Sequence, residues 1–232
     1  MKINLTFFFI IGISVMLLMP MYTSFMVYGD ITVVETEDYV YVIIGTDNKD
    51  KIGGSNSEDI ILGLDKNDKI KARGSSDYID GGQGRDRIQG NSGADIILGN
   101  SGSDRIEGNS GADYIDGGTG DDIIQGNSGD DQIAGYKGDD IIQGNKHDDT
   151  IYGEKGDDRI EGNSGDDWLN GGSGRDLIIG GSGDDILWGK SGKDILIGGP
   201  GEDEFHCGSG FDIILDYNKD EGDTKSKKCE VF

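Results

Sequence analysis

From Gly45 to Leu215 the chain repeats itself every nine residues, 19 times, with no insertion or deletion. The sixth place of every unit is Asp, running from Asp50, Asp59, Asp68 and Asp77 to Asp212. The eighth place is always large and apolar: Ile in most units, Leu169, Leu187 and Leu196 in three, Phe205 in one. The first place is Gly in 17 of 19 units, the exceptions being Ala72 and Cys207, and the fourth is Gly in 14 of the last 15, the exception being His147. An acidic linker would scatter its charges, whereas a fixed period marks a small structural unit stacked on copies of itself.

Each unit reads as a turn followed by a strand. In Gly90-Asn91-Ser92-Gly93-Ala94-Asp95 the glycines supply positive φ angles for tight reversal. In Ile96-Ile97-Leu98 the middle side chain points inward, because side chains alternate across a strand. With 42 Gly in 232 residues a helical fold is excluded, since each interior Gly costs a helix about 0.8–1 kcal/mol relative to Ala. Stacking brings the eighth-place residues into ladders about 4.8 Å apart. The expectation is an all-β solenoid with two units per coil and two sheets, a rod roughly 45 Å long from that spacing.

The charge says what such a stack would hold. Acidic residues number 45 against 21 basic, a formal net charge of −24, which argues against nucleic acid as a partner because phosphate binding rests on Lys and Arg. An Asp in every turn repels its neighbours unless a cation sits between them. Calcium takes six to eight oxygens from carboxylates and backbone carbonyls; magnesium demands stricter octahedral geometry, and zinc prefers the nitrogen and sulfur that only His147, His206, Cys207 and Cys229 could offer. The candidate metal ligands are Asp86, Asp95, Asp104, Asp113, Asp122, Asp131, Asp140, Asp149, Asp158, Asp167, Asp176, Asp185, Asp194, Asp203 and Asp212. Carbonyls would come from turn backbone around Gly90, Gly93, Gly99, Gly102, Gly108, Gly111, Gly117, Gly120, Gly126, Gly129, Gly162, Gly165, Gly171, Gly174, Gly180 and Gly183.

Units such as GGTGDDIIQ at 117–125 and GGSGDDILW at 180–188 resemble the RTX (hemolysin-type) calcium-binding nonapeptide, G-G-x-G-x-D-x-U-x, over about three quarters of the chain. The resemblance implies a right-handed parallel β-roll with calcium between turns of alternate repeats, held by Asp side chains and carbonyls of two turns. Asp86 would then share a site with Asp104, and Asp104 with Asp122, while Asp95, Asp113 and Asp131 begin the opposite edge. The 15 units from Gly81 fall 8 on one edge and 7 on the other, leaving 13 gaps. Thirteen calcium ions would nearly cancel the charge. Asn48, Ser57, Lys66 and Ser75 replace Gly at the fourth place of the first four units, so these turns are expected to bind weakly or not at all, and His147 marks a weak site in mid-roll.

Four segments follow. Residues 1–29 carry Lys2, the apolar run from Phe7 to Met19, and Gly29 where cleavage could fall, the layout of a secretory signal peptide or, uncleaved, an N-terminal membrane anchor. Residues 30–44 form a β cap, 45–215 the roll, and 216–232 a C-terminal cap or tail. The chain is expected to be extracellular or at the cell surface, touching membrane only through an uncleaved N-terminus. The family's usual route of export uses an uncleaved C-terminal signal instead. Cys207 and Cys229 are candidates for a disulfide, with free thiols or a zinc site including His206 as the alternative.

No G-x-S-x-G, H-E-x-x-H or phosphate-loop motif is present, and 15 residues before the roll and 17 after it leave no room for a catalytic domain, so no enzyme is expected. Outward places put Tyr78, Tyr114, Tyr152, Trp168 and Trp188 on one sheet. They put Leu177, Ile179, Ile195, Ile197, Ile213 and Leu215 on the other. The functional expectation is calcium binding by a secreted or cell-surface roll that folds on binding; the alternative is a calcium-stiffened structural or adhesive scaffold with a cell-surface glycan or protein partner.

Overall fold

The computed structural model describes residues 24–28, 31–35, 40–226 and 228–231. The apolar run and the Gly29 cleavage position assigned to an export signal lie outside them. Two long sheets of parallel strands face each other, one of 14 strands and one of 11, and the chain alternates between them along the roll. Strands 18 residues apart pair in register, as in Arg87↔Arg105↔Ile123↔Ile141. Two repeats therefore make one coil. Odd-numbered units feed the 11-stranded sheet and even-numbered units the 14-stranded one.

The interior is one ladder per sheet. Ile52, Ile61, Ile70 and their successors to Leu196, Phe205 and Ile214 are at most 2% exposed, each stacked on the equivalent residue one coil away. β-branched Ile suits this position because its stiff side chain packs well on a pleated surface. First-place residues also point inward. Gly there lets the two sheets approach closely enough for a core one side chain deep.

Strands are longer than the sequence suggests. Most run through places seven, eight, nine, one, two and three, as in Arg87–Ser92 or Ile141–Lys146, so the turn shrinks to places four to six. Asn91↔Asn109 and Ser92↔Ser110 pair in register although Asn91 and Asn109 both have φ of +84°. The second place is thus a bend inside the strand. Asn tolerates it because its short polar side chain stabilises left-handed backbone locally.

Both ends are covered. At the start, β1 (Ser24–Tyr28), β2 (Ile31–Glu35) and β3 (Tyr41–Ile44) form an antiparallel meander, and β3 joins the 14-stranded sheet by pairing parallel with Asp59–Leu62. β1 belongs to the segment read as an export signal. At the far end Thr224–Lys225 pairs with Glu204–Phe205, and Glu230–Val231 with Ile213–Ile214, so the tail adds a last partial coil to each sheet. Cys207 and Cys229 form a disulfide, with Cα atoms 5.5 Å apart, and Tyr217 packs edge-on against Phe205 at 6.3 Å.

Candidate metal sites

The sixth-place aspartates line the two edges where the sheets meet. Asp86, Asp104, Asp122, Asp140, Asp158, Asp176, Asp194 and Asp212 stack on one edge; Asp95, Asp113, Asp131, Asp149, Asp167, Asp185 and Asp203 stack on the other. In each stack the backbone N–H of one Asp donates to Oδ1 of the Asp one coil on, from Asp86 to Asp104 at 2.7 Å through Asp194 to Asp212 at 3.0 Å. The turn is thereby fixed by the carboxylate of its neighbour.

That bond uses one oxygen and leaves the other. Oδ2 of each of the fifteen candidates is buried with no hydrogen-bond partner, and so are those of Asp68 and Asp77. Burying a carboxylate oxygen without a partner costs several kcal/mol unless the group is neutralised. The strain appears in the acidities: burial first, then the neighbouring carboxylates, push Asp122, Asp149 and Asp185 up to about 8 and Asp113, Asp158 and Asp194 to about 7. Asp86, Asp104, Asp140 and Asp176 are raised to about 6, chiefly by burial. The backbone N–H to each carboxylate pulls the other way and does not prevail.

The orphan oxygens have carbonyls for company. A β-carbon added at Gly81 would lie 2.8 Å from Asp86 Oδ2 and 3.1 Å from the carbonyl oxygen of Gly99; at Gly117 the same point lies 2.6 Å from Asp122 Oδ2 and 3.2 Å from the carbonyl of Gly135. A carboxylate of one coil and a carbonyl of the next thus converge on a spot kept open by glycine. The donor set is oxygen only, which fits a hard divalent cation such as calcium. Among the described residues no three His, Cys, Asp or Glu side chains converge, so any ion here would draw on backbone as well as on carboxylates.

The glycines named from the sequence divide into two kinds. Gly93, Gly102, Gly111, Gly120, Gly129, Gly165, Gly174 and Gly183, at the fourth place, have φ between 123° and 143°, beyond the left-handed region that other residues reach. Gly90, Gly99, Gly108, Gly117, Gly126, Gly162, Gly171 and Gly180, at the first place, have ordinary φ and lie under the carboxylates, all but Gly99 inside the strands rather than in the turn. Where the fourth place is not Gly, the backbone differs: Lys66, Ser75 and His147 adopt φ of 74° to 76°. The N–H of Gly129 reaches the carbonyl of Lys146, beside His147, only at 3.5 Å, against 2.8 Å for Gly111 to Ser128.

The first four units do not behave alike. Asp50 Oδ2 accepts the N–H of Thr46 at 2.6 Å and its hydroxyl at 3.0 Å, and Asp59 Oδ2 accepts the N–H of Ser55. These two turns satisfy themselves. Asp68 and Asp77 instead keep the orphan oxygen of the regular turns, with acidities raised by burial to about 6 and 7. At the other end, Asp223 takes the N–H of Asp203 at 3.1 Å on Oδ1 and that of Asn218 at 2.6 Å on Oδ2. It closes the even edge from outside the nine-residue period, 20 residues after Asp203, which is why the repeat gives no sign of it.

The zinc alternative is overturned. The two cysteines are joined to each other, and the imidazole of His206 stacks on Trp188 with ring centroids 3.7 Å apart, its Nε2 2.7 Å from Glu204.

The family model for the RTX calcium-binding nonapeptide repeat, which spans four copies, matches residues 53–88, 89–124, 116–146, 125–160, 143–178, 161–196 and 179–214. Together these matches cover the roll from the second repeat to its end. No catalytic family is matched. No curated protein matches the chain.

Proposed function

The chain belongs to the RTX calcium-binding nonapeptide repeat family, and from that premise we propose that it is an exported calcium-binding roll whose folding is driven by the ion. The observation that carries this reading is the double row of buried Oδ2 atoms without partners. Near neutral pH these carboxylates must bind a proton or a cation, or push the coils apart. Calcium, when bound, supplies the positive charge that lets two stacked turns share a gap. The residues proposed to hold it are Asp86 through Asp212 on both edges, with about 13 gaps in the regular part. Glycine's role is to admit the carbonyl. Binding to the folded state alone makes the ion part of the folding equilibrium. Export would supply the trigger, since calcium is scarce inside cells and extracellular calcium modules work at about 10⁻⁴–10⁻³ M. The disulfide accords with an oxidising destination.

Far-ultraviolet circular dichroism of the chain during a calcium titration, with magnesium at matched ionic strength, tests this. A cooperative coil-to-β transition with calcium alone is expected. A chain equally β-rich in chelator at neutral pH would contradict ion-driven folding.

A second reading, a surface scaffold that holds a glycan, is favoured by the outer face of the 14-stranded sheet. Tyr152 and Trp168 pack with centroids 4.9 Å apart, and a shallow groove beside them is lined by Tyr114, Gln132, Tyr136 and Glu154. Flat rings flanked by amide and carboxylate groups suit sugars. Retention on immobilised glycans, lost in Trp168→Ala, would support it.

A further inference from the structure

The charges outside the metal rows are sorted along the rod. Leaving aside the sixth-place aspartates, residues 45–107 hold 9 basic and 5 acidic side chains, whereas residues 108–215 hold 7 basic and 12 acidic. Set apart from the inner rows, the outer side chains of the first part are therefore positive by 4 and those of the second negative by 5.

On the edge of the odd-numbered units, Lys49, Lys69, Arg85, Arg87 and Arg105 line a groove floored by the sixth-place Asp68, Asp86 and Asp104 and ended by Asp121. Lys69, Arg87 and Arg105 are in register on adjacent strands, one cation per coil. Among the described residues Lys49, Lys69, Arg85 and Arg87 make no ion pair, which is unusual in so acidic a chain; Arg105 reaches Glu107 at 3.1 Å.

On the opposite edge, in the second part, the fifth-place residues are Asp130, Asp148, Asp166, Asp184 and Glu202, all exposed. The N–H of Asp166 donates to Asp148 Oδ1 at 2.9 Å, that of Asp184 to Asp166 at 2.8 Å, and that of Glu202 to Asp184 at 2.8 Å. Each Asp is held in line with its second oxygen turned to water. Lys146 and His147 are the nearby groups able to carry positive charge.

Both rows advance by one coil, about 4.8 Å per step. A partner whose negative charges keep that pitch is a second copy of this chain. We propose that the cationic groove of one roll docks against the acidic row of another. The two surfaces lie on opposite edges, so the contact is heterologous and does not close: rolls would add side by side into an open ribbon. The dependence of docking on calcium rests on the function proposed above. Without the ion both parts are net negative, by 3 and by 17, and rolls repel; the ion removes that repulsion and leaves the outward cationic groove and acidic row to attract locally.

Sedimentation velocity of the full chain at saturating calcium tests the docking. Association that rises with protein concentration and is lost by about 0.5 M NaCl is expected, because exposed charges are screened within a few ångströms there. Two reversal variants decide the surfaces: Lys69→Glu with Arg85→Glu and Arg87→Glu, and Asp148→Lys with Asp166→Lys and Asp184→Lys. Each alone should be monomeric, and an equimolar mixture should assemble again, since each supplies what the other has lost. Where reversal disturbs folding, Arg85→Gln with Arg87→Gln should still weaken association by roughly tenfold. Assembly of either reversal variant alone, or a mixture that stays monomeric, overturns the proposal. So does a monomeric wild-type roll retained by an immobilised anionic polysaccharide. Circular dichroism of the same samples reports calcium-driven folding separately: failure of that reading appears as a flat titration, failure of docking as a folded monomer.

Discussion

The first two turns of the roll and the turns that follow use the same Asp in opposite ways. In Asp50 and Asp59 the second carboxylate oxygen is bound by the chain itself, through Thr46 and Ser55. From Asp68 onward it is bound by nothing in the protein. In both turns the backbone N–H of the second-place residue reaches that oxygen, and the side-chain hydroxyl adds a bond to the same carboxylate, to Oδ2 in Thr46 and to Oδ1 in Ser55. If folding is driven by the ion, as proposed, a cap would have to hold its shape before the ion arrives, whereas the regular coils would not.

The sharpest way to break this comparison is to remove the ion and vary pH. Thirteen of the regular aspartates, Asp86, Asp122 and Asp158 among them, have folded acidities of about 6 to 8, above the unfolded value of 3.8, so the folded state binds more protons. Their contribution to the metal-free roll is fully present below about pH 4 and is lost as pH rises through 6 to 8. In chelator the chain should be β-rich near pH 4 and lose most of that signal by pH 8; calcium should abolish the loss. A chelated roll more stable at pH 8 than at pH 4 would show that the orphan oxygens carry no such penalty.

Substitution at one gap should give a smaller effect with a change of sign. Asp122→Asn with Asp140→Asn keeps an oxygen for each neighbouring N–H but removes two buried charges. Thermal melts at pH 8 should move upward in chelator and downward in calcium, and the calcium midpoint should rise. An unchanged midpoint would contradict the sharing of a site. Cys229→Ser opens a covalent loop spanning 22 residues and should cost about 3 kcal/mol with or without calcium, read from urea melts. Asp59→Ala leaves the Ser55 donors unsatisfied and should cost about 1–2 kcal/mol, again without moving the calcium midpoint. His147→Gly, which relieves a left-handed backbone at φ of +74°, should stabilise by about 1 kcal/mol and strengthen calcium binding at its coil.

The period made the coil, the pairing register and the inward ladder legible, because Ile at place eight and Asp at place six recur whatever lies between them. It hid the length of the strands. Gly, Asn and Ser at places one to three have poor strand propensity, and only the stacked neighbour recruits them into the ladder. The aspartate rows are legible in the sequence as rows, yet the sequence alone does not separate Asp50 and Asp59, bound by Thr46 and Ser55, from Asp68 and Asp77. Asp223 could not be read at all, since it takes its place in the stack through a turn at Asn218 rather than through the repeat. The sorting of outer charge needed the structure to say which residues share an edge.

The interior ladder has one further consequence. Nearly every coil offers the same Ile to its neighbours above and below, so a chain that slipped by 18 residues during folding would bury an almost identical core. Such a stack has no address of its own. What numbers the coils are the few places where the pattern breaks: the antiparallel meander at the start, and Phe205 under Tyr217 with the Cys207–Cys229 bond at the end. The disulfide can close only when the tail lies on the last coil, so it records that the whole length has been laid down in order.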